Sequence, residues 1–176
     1  MRKGELLALK WNDIDFTKKV VYVKRTVSHI PSMGYVTTTP KTKNSVRQIP
    51  ISDEVIRELL LHKSNQNKDK TKLNDAYQDQ DLVISTELGK VQDPRNLLRT
   101  MKRLISISGV TSIRFHDIRH THASILISSG IDVVKISARL GHANPKITLE
   151  IYAHLLPNIQ NDVADIFQET LNKHQC

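Results

Sequence analysis

Two patterns of apolar and polar residues occur along this chain, one typical of strands and the other typical of amphipathic helices. β-branched and aromatic residues gather in short runs at residues 20–27, 35–39 and 46–51. Runs of this length and composition, separated by proline and glycine, are typical of antiparallel strands joined by turns. We therefore predict a three-stranded antiparallel sheet within residues 20–51.

The remaining apolar pattern has the period of amphipathic helices. A helix is predicted over residues 1–10, and a second follows a cap formed by Ser52 and Asp53. Residues 62–81 are almost all polar, and we interpret them as the end of that helix plus a mobile surface loop, or a binding loop. Further helices are predicted at 93–108, 115–129, 132–140, 161–173 and from 145 through Tyr152. The predicted fold class is α+β, mostly helical with one small sheet.

The length of the chain limits these elements to one domain. At 176 residues, 39% of them hydrophobic, the chain can bury a core of its own. No window has the roughly 18 consecutive apolar residues that a membrane span needs. Glu5 and Lys10 interrupt the N-terminal stretch that begins like a signal peptide. The sequence therefore predicts one domain over residues 1–176 without a membrane segment.

Charge and cysteine content narrow the partners and the compartment. The formal net charge is +8, and a basic protein favours a polyanionic partner because each neutralised phosphate releases counterions. Cys176 is the single cysteine, so an intrachain disulfide and a cysteine-based metal site are both impossible. This content agrees with a reducing, cytoplasmic compartment. Charge alone leaves open a basic protein without a nucleic-acid partner.

A predicted helix in the second half of the chain carries a pair of side chains that could bind a phosphate. His116 and Arg119 are three residues apart and share one helix face. Fixed donors of this kind stabilise the charge that develops on a pentavalent phosphate. The alternatives are an ordinary charged surface helix and a zinc site on His116, His120 and His122. Against zinc, Asp117 stands where a zinc-protease helix has glutamate, and Arg119 would place a cation beside the metal.

A histidine and a tyrosine follow on the next two elements. His142 lies in the turn after Gly141, and Tyr152 follows ten residues later on the next predicted helix. A phenol has a pKa of about 10, so it needs a dense cationic site and a positioned phosphate to act as a nucleophile. The alternatives are an incidental histidine in a turn, a core tyrosine, and a helix-turn-helix DNA reader with residues 145–155 as the recognition helix.

Further candidate cations lie in the first third of the chain. Arg2 precedes Glu5 on the first predicted helix, where a charged helix end is the ordinary interpretation. Lys41 lies in the turn between the second and third predicted strands, where a lysine is usually solvated. Close to other cations its pKa would fall from about 10.4, and it could then protonate a leaving oxygen. Lys43 would serve the same geometry if the register differs.

Together, these segments resemble the catalytic domain of the tyrosine recombinase (phage integrase) family. The resemblance is to integrases of phages and conjugative transposons of Gram-positive bacteria in particular. It covers nearly the whole chain, and it is specific in the order and spacing of the motifs and in the strands between them. The residues that carry it are Arg2 and Glu5, Lys41, His116 and Arg119, His142, and Tyr152.

The resemblance implies a role for each of these residues. Tyr152 would attack the scissile phosphorus and form a 3′-phosphotyrosyl link. Arg2 and Arg119 would bind the nonbridging oxygens. His116 would hydrogen-bond the phosphate and handle the tyrosine proton, and His142 would support the transition state.

The resemblance also implies supporting and DNA-binding roles. Lys41 would be the general acid for the 5′-hydroxyl, with Lys43 as the alternative, and Glu5 would orient Arg2. Cleavage conserves the phosphodiester energy, so neither a cofactor nor a metal is expected. Contacts with DNA are expected from Arg2, Lys41, Lys43, Arg119 and His142.

By the same resemblance, the partner is double-stranded DNA, on which copies of the chain assemble as a tetrameric synapse. The reaction would integrate or excise a mobile element in the cytoplasm. The family's core-binding and arm-binding domains have no counterpart here, so we interpret residues 1–176 as an N-terminally truncated catalytic domain. Two alternatives remain, namely a catalytically inert DNA-binding or assembly fragment and a type IB topoisomerase-like enzyme.

Overall fold

A computed structural model describes residues 1–40, 45–153 and 172, and it confirms a mostly helical α+β fold with small antiparallel sheets. The predicted helix at residues 161–173 lies outside the described residues, apart from Asn172. The strands are β1 (Ile14–Asp15), β2 (Val20–Val23), β3 (Thr26–Ile30), β4 (Gly34–Thr38) and β5 (Arg47–Pro50). The helices are α1 (Lys3–Leu7), α2 (Asp53–Leu73), α3 (Pro94–Ser108), α4 (Phe115–Ser128), α5 (Val133–Leu140) and α6 (Pro145–Tyr152).

The structure contains a three-stranded sheet, but its strands differ from the predicted ones. β2 pairs antiparallel with β1 on one side and with β5 on the other. The predicted middle strand, β4, instead pairs with β3 in a separate two-stranded sheet. The run at residues 20–27 is divided into β2 and β3 because Lys24 and Arg25 form ion pairs with the buried carboxylate of Asp13. A contact from elsewhere in the chain thus decides the strand pairing.

The segment at residues 62–81 begins with the end of a helix, as predicted, and α2 continues as far as Leu73. The reason is a buried polar side chain. The amide of Gln66 accepts a hydrogen bond from Trp11 Nε1 at 2.7 Å and donates one to the carbonyl of Leu82 at 3.1 Å. A buried amide with both ends satisfied anchors a helix without an apolar stripe.

Apolar side chains of the described residues form three clusters. A small cluster of Leu7, Ala8 and Val27 packs α1 and the residue after it against β3. A sheet cluster consists of Leu9, Trp11, Ile14, Val21, Val23, Ile49 and Val83. A helical cluster joins α4, α5 and α6 and consists of Ala123, Ile127, Ile136, Leu140 and Tyr152. Tyr152, a candidate site residue, therefore belongs to the core of the helical half of the molecule.

The helices predicted between residues 93 and 152 are confirmed, and local caps fix where three of them begin. Asp93, Asp132 and Asn144 each accept, through a side-chain oxygen, the backbone N–H two residues further on at 2.7–2.9 Å. Such caps satisfy backbone donors that have no partner within the helix. Within the described ranges, no helix combines the length and the apolar character that crossing a membrane requires.

Candidate active site

Three arginine side chains converge on the C-terminal end of α5. Arg47, Arg119 and Arg2 donate hydrogen bonds to the successive carbonyl oxygens of residues 139–141, at 2.8, 2.6 and 3.0 Å respectively. The last carbonyls of a helix have no partner within it and carry partial negative charge, so they attract and orient cations. We call these three side chains the arginine cluster. The end of one helix thus aligns guanidinium groups from distant parts of the sequence.

The carboxylate of Glu5 joins two members of the arginine cluster. It accepts hydrogen bonds from Arg2 Nη1 at 3.0 Å and from Arg47 Nη1 and Nη2 at 3.2 and 2.9 Å. Burial alone would raise the pKa of Glu5, but hydrogen bonds from Arg47 and the Arg2 backbone, with the charge of Arg47, hold the pKa below its ordinary value. Glu5 therefore remains an anion, and it contacts the arginine that we expect it to orient.

Arg47 is a member of the cluster that the sequence did not reveal. It is the first residue of β5, its side chain is 6% exposed, and it also donates to the Ser45 carbonyl at 2.9 Å. In the sequence it lies within a strand pattern, where a single arginine indicates a solvent-facing position. Only the tertiary structure brings it to Glu5, 42 residues earlier.

Arg119 is charged and almost fully buried. It is 6% exposed, and its Nη1 has no hydrogen-bond partner among the described residues. Burial, followed by the charges of Arg2 and Arg47, lowers the pKa of Arg119 to about 10. The guanidinium therefore keeps its charge at neutral pH. A cation with unused donor capacity, crowded by like charges, favours an anionic oxygen as its partner.

His142 lies in the turn between α5 and α6. Its Nδ1 lies 2.7 Å from the hydroxyl of Thr148, which is fully buried. Burial, followed by the charges of the three arginines of the cluster, lowers the pKa of His142 to about 4. The imidazole is therefore neutral at neutral pH, and it can act as a hydrogen-bonding group but not as a cation.

The hydroxyl of Tyr152 contacts a histidine that the sequence indicated only as a possible metal ligand. His120 Nδ1 lies 2.6 Å from Tyr152 Oη. Burial raises the pKa of Tyr152, although the charge of Arg119 acts in the opposite direction. The phenol is therefore protonated at neutral pH, within the field of a guanidinium group and in contact with an imidazole.

His116 lies one helical turn before His120 on α4. The two rings meet edge to face, with centroids 4.7 Å apart. Burial, followed by the charges of His120 and Arg119, lowers the pKa of His116. Within the described part of the chain, no hydrogen bond joins His116 to Tyr152. The structure thus places His116 beside the histidine that contacts the phenol.

Lys41 and Lys43 lie outside the described residues, so their role stays a prediction. Pro40 and Ser45, which flank this segment, line a cavity of about 320 Å³ together with Arg2. Ser45 Oγ also accepts a weak hydrogen bond from Arg2 Nη1 at 3.4 Å. The described residues on either side of this segment, Pro40 and Ser45, therefore lie beside Arg2 of the arginine cluster.

Two alternatives from the sequence fit this geometry poorly. The zinc alternative would use His120, but that ring is engaged with Tyr152. Within residues 1–40 and 45–153, no three histidine, cysteine or acidic side chains are placed to hold one metal ion. The helix-turn-helix alternative would make Tyr152 a simple DNA contact on a recognition helix, whereas its ring packs in the helical cluster and its hydroxyl contacts His120.

Comparison with known proteins places the chain in a family. A model described as the phage integrase family matches residues 1–158. The chain belongs to the phage integrase family. It is 38% identical, over 98% of its length, to a tyrosine recombinase XerC-like protein of Caldanaerobacter subterraneus subsp. tengcongensis. It is 34% identical, over 97% of its length, to the ICEBs1 integrase of Bacillus subtilis. The chain spans about half the length of these curated relatives, 46% of each.

Solved structures share the fold of this phage integrase family member. The Tn1549 transposon integrase, in complex with circular intermediate DNA, matches 97% of the chain with a TM-score of 0.74 and 21% identity, over 56% of its own length. The XerA recombinase matches 99% of the chain with a TM-score of 0.65 and 22% identity, over 53% of its own length. At these identities the likeness establishes the fold.

Within this integrase fold, the described candidate residues come together in two connected groups. The first group surrounds the C-terminal end of α5, and the second lies between α4 and α6. Arg47 and His120 are the additions that the structure makes to the residues predicted from the sequence. The first group consists of Arg2, Glu5, Arg47, Arg119 and His142, and the second of His116, His120 and Tyr152.

Proposed function

We propose that residues 1–176 form the catalytic domain of a site-specific DNA recombinase that cleaves and rejoins strands through a 3′-phosphotyrosyl intermediate on Tyr152. The observation that carries this proposal is the arginine cluster, in which Arg119 and Arg2 are held on the adjacent carbonyls of Leu140 and Gly141 at the C-terminal end of α5. Membership in the phage integrase family supports it. The matched relatives are about twice as long, so we assign core-binding and arm-binding functions to regions other than these residues.

The arginine cluster is suited to hold the scissile phosphate. The side chain of Arg2 is 42% exposed and borders the cavity. Arg119 is held on the neighbouring Leu140 carbonyl, and its buried Nη1 has no hydrogen-bond partner among the described residues. Each guanidinium can donate charge-assisted hydrogen bonds to a nonbridging oxygen. Donors that are already fixed before the reaction stabilise the additional charge of a pentavalent phosphate without reorganisation.

Strand cleavage in this arrangement is a transesterification. The phenolic oxygen of Tyr152 forms a bond to phosphorus, the bond from phosphorus to the 5′-oxygen breaks, the phenol loses a proton and the 5′-oxygen gains one. We assign the proton donor to Lys41, with Lys43 as the alternative. Because one phosphodiester replaces another, the bond energy is retained, and rejoining needs neither a nucleotide cofactor nor a metal ion.

The two predicted histidines act in this mechanism as neutral groups. His142, with a pKa of about 4, can hydrogen-bond a nonbridging oxygen without adding charge to the arginine cluster. The pKa of His116 is also lowered, and we assign its hydrogen bond to the same phosphate. Neutral groups of this kind complete the anion site without further repulsion between cations.

We infer that the substrate is the double-stranded DNA of a mobile element. The chain carries a formal net charge of +8, which favours phosphate backbones. Its relatives include the ICEBs1 integrase and the transposase from transposon Tn916, which supports integration and excision. Copies of the chain would assemble on DNA as a tetrameric synapse and act in the cytoplasm.

Trapping the covalent intermediate tests the proposal. The chain is incubated with randomised duplex DNA in which one central 5′-bridging oxygen is replaced by sulfur, because the thiol product rejoins poorly and adducts accumulate. We expect an SDS-resistant adduct that maps to Tyr152 and an unchanged yield in EDTA. Tyr152→Phe should abolish the adduct while DNA binding is retained, because the phenyl ring still packs in the helical cluster.

Tyr22→Phe on β2 is the matched control and should keep the full adduct yield. An adduct that persists in Tyr152→Phe would remove Tyr152 from the nucleophile role. DNA binding by the wild-type chain without any adduct would favour the inert DNA-binding alternative. Relaxation of supercoiled plasmids with no preferred sequence would favour the topoisomerase-like alternative.

A further inference from the structure

A hydrogen bond between α4 and α6 holds the hydroxyl of Tyr152. His120 Nδ1 lies 2.6 Å from Tyr152 Oη, and the ring centroids are 5.8 Å apart. This separation is at the short end of hydrogen bonds in proteins. The tyrosine ring is fixed by its packing in the helical cluster, so the contact belongs to the packed core between the two helices.

The phenol acts as the donor in this hydrogen bond when His120 carries its ring proton on Nε2. Burial raises the pKa of Tyr152 above its ordinary value, so its oxygen carries a proton at neutral pH. A buried hydroxyl proton needs an acceptor. Among the described residues, His120 Nδ1 is the atom placed to accept it, through the lone pair that this tautomer leaves on Nδ1.

The two histidines of α4 occupy different positions relative to the phenol. His116 and His120 are four residues apart on one helix face, with centroids 4.7 Å apart. His120 contacts both His116 and Tyr152, whereas His116 makes no hydrogen bond to the phenol within the described residues. The family resemblance gives the tyrosine proton to His116, but the contact made by the phenolic oxygen is with His120.

We propose that His120 is a catalytic residue, which accepts the proton of Tyr152 when the phenolic oxygen attacks phosphorus and returns it when the strand is rejoined. The assignment rests on the proposed function, because it requires Tyr152 to be the nucleophile. During cleavage the oxygen–phosphorus bond forms, the phenolic O–H bond breaks, and the proton moves to Nδ1. The 5′-oxygen leaves with a proton from the separate general acid of the proposed function.

The same proton serves the return reaction. When the 5′-hydroxyl attacks the phosphotyrosyl link, the phenolic oxygen is the leaving group and takes the proton back from Nδ1. Between the two steps, the protonated ring of His120 adds a positive charge next in sequence to Arg119. General acid–base help of this kind typically contributes about 10²–10⁴-fold to a rate, so removal of the acceptor should have a large effect.

A more acidic nucleophile tests this assignment directly. His120→Asn keeps a polar group near the Nδ1 position but cannot take up a proton. A fluorinated tyrosine in place of Tyr152 ionises more readily and needs less help from a base. The rate of adduct formation is measured on a duplex recovered from the randomised pool. This duplex carries the 5′-bridging sulfur, so that departure of the leaving group does not limit the rate. We expect His120→Asn to lower the rate of adduct formation by about 100-fold or more. In the His120→Asn chain, the fluorinated tyrosine should restore this rate to within about tenfold of wild type.

His29→Asn, at an exposed histidine on β3 outside the site, is the control and should react like wild type. Thermal unfolding and DNA affinity, measured on each variant, check that the fold is intact. A His120→Asn chain that reacts at the wild-type rate overturns the assignment, since a polar contact would then suffice. Failure of the fluorinated tyrosine to recover the rate overturns it as well. In either case an adduct on Tyr152 in the wild-type chain leaves the proposed function intact, whereas no wild-type adduct overturns the proposed function itself.

Discussion

At the scale of single residues, the candidate site depends on a buried carboxylate between two guanidinium groups. Glu5 is 3% exposed, and the Arg47 side chain that contacts it is 6% exposed. Ions in such surroundings lose their hydration, and removal of one partner leaves the others unpaired, which costs more than the pair contributes. The charge of Glu5 is therefore needed to keep Arg2 and Arg47 in place.

We predict that Glu5→Gln lowers the free energy of unfolding by about 3 kcal/mol at pH 7, because Arg47 is left buried without its counter-charge. The pKa of Glu5 is lowered in the folded chain. Its stabilising contribution is therefore complete above the unfolded-state pKa of about 4.3 and is lost as the pH falls through the lower folded-state pKa. Urea unfolding from neutral to acid pH should show the two proteins converging below about pH 4.

Glu58→Gln on the exposed face of α2 is the control for this measurement and should match wild type throughout. A stability difference between wild type and Glu5→Gln that stays constant with pH would show that the carboxylate is not the stabilising group.

The sequence predicts those site residues whose relation is local. His116 and Arg119 share a helix face through their spacing alone. Arg47 and His120 could not be assigned in the same way. The partner of Arg47 is 42 residues away, and the contact of His120 with Tyr152 spans 32 residues. Their roles depend on how elements pack, which no local pattern encodes.

At the scale of elements, the C-terminal end of α5 organises the site. Its last carbonyls hold the arginine cluster, and Gly141 ends the helix with a φ of +70°. Helix ends of this kind follow from local capping chemistry, which is why α3 to α6 could be predicted. Strand pairing and the length of α2 could not, because they depend on the tertiary contacts of Asp13 and Gln66.

We predict that Gly141→Ala reduces the rate of adduct formation by about 100-fold, because a shift of about 1 Å in a positioning group can cost that much. A β-carbon at this position would lie 2.8 Å from Arg47 Nη1. The control is Gly130→Ala, at a φ of +76° with no atom within 4 Å of the added carbon. Both variants should lose roughly 1 kcal/mol from left-handed backbone strain, measured by urea unfolding. Equal rates of adduct formation in the two variants would show that contact between the added β-carbon and Arg47 does not slow the reaction.

At the scale of the whole molecule, Arg47 joins the part built on strands to the part built on helices. Arg47 is the first residue of β5, and its side chain donates hydrogen bonds to the carboxylate of Glu5 on α1 and to the carbonyl of Arg139 on α5. A second bond in the same region, from Arg139 Nη1 to the carbonyl of Pro50 at 3.0 Å, ties α5 to the end of β5. Arg47 and Arg139 therefore hold the strand part and the helical part of the molecule together beside the arginine cluster.

We predict that Arg47→Lys slows adduct formation by about 100-fold at saturating DNA while DNA affinity stays within about threefold of wild type. Lysine keeps the charge, but its single ammonium cannot bind the Glu5 carboxylate at two points and the Arg139 carbonyl at once. Because the Arg47 side chain is 6% exposed, the loss should come from misplaced neighbours, whereas a residue that bound DNA directly would lose affinity first. The measurements are a binding titration and single-turnover rates, with Arg57→Lys on exposed α2 as the control that should change neither. A fall in affinity with an unchanged rate at saturation would mean that Arg47 contacts DNA itself and does not act by joining the strand part to the helical part of the molecule.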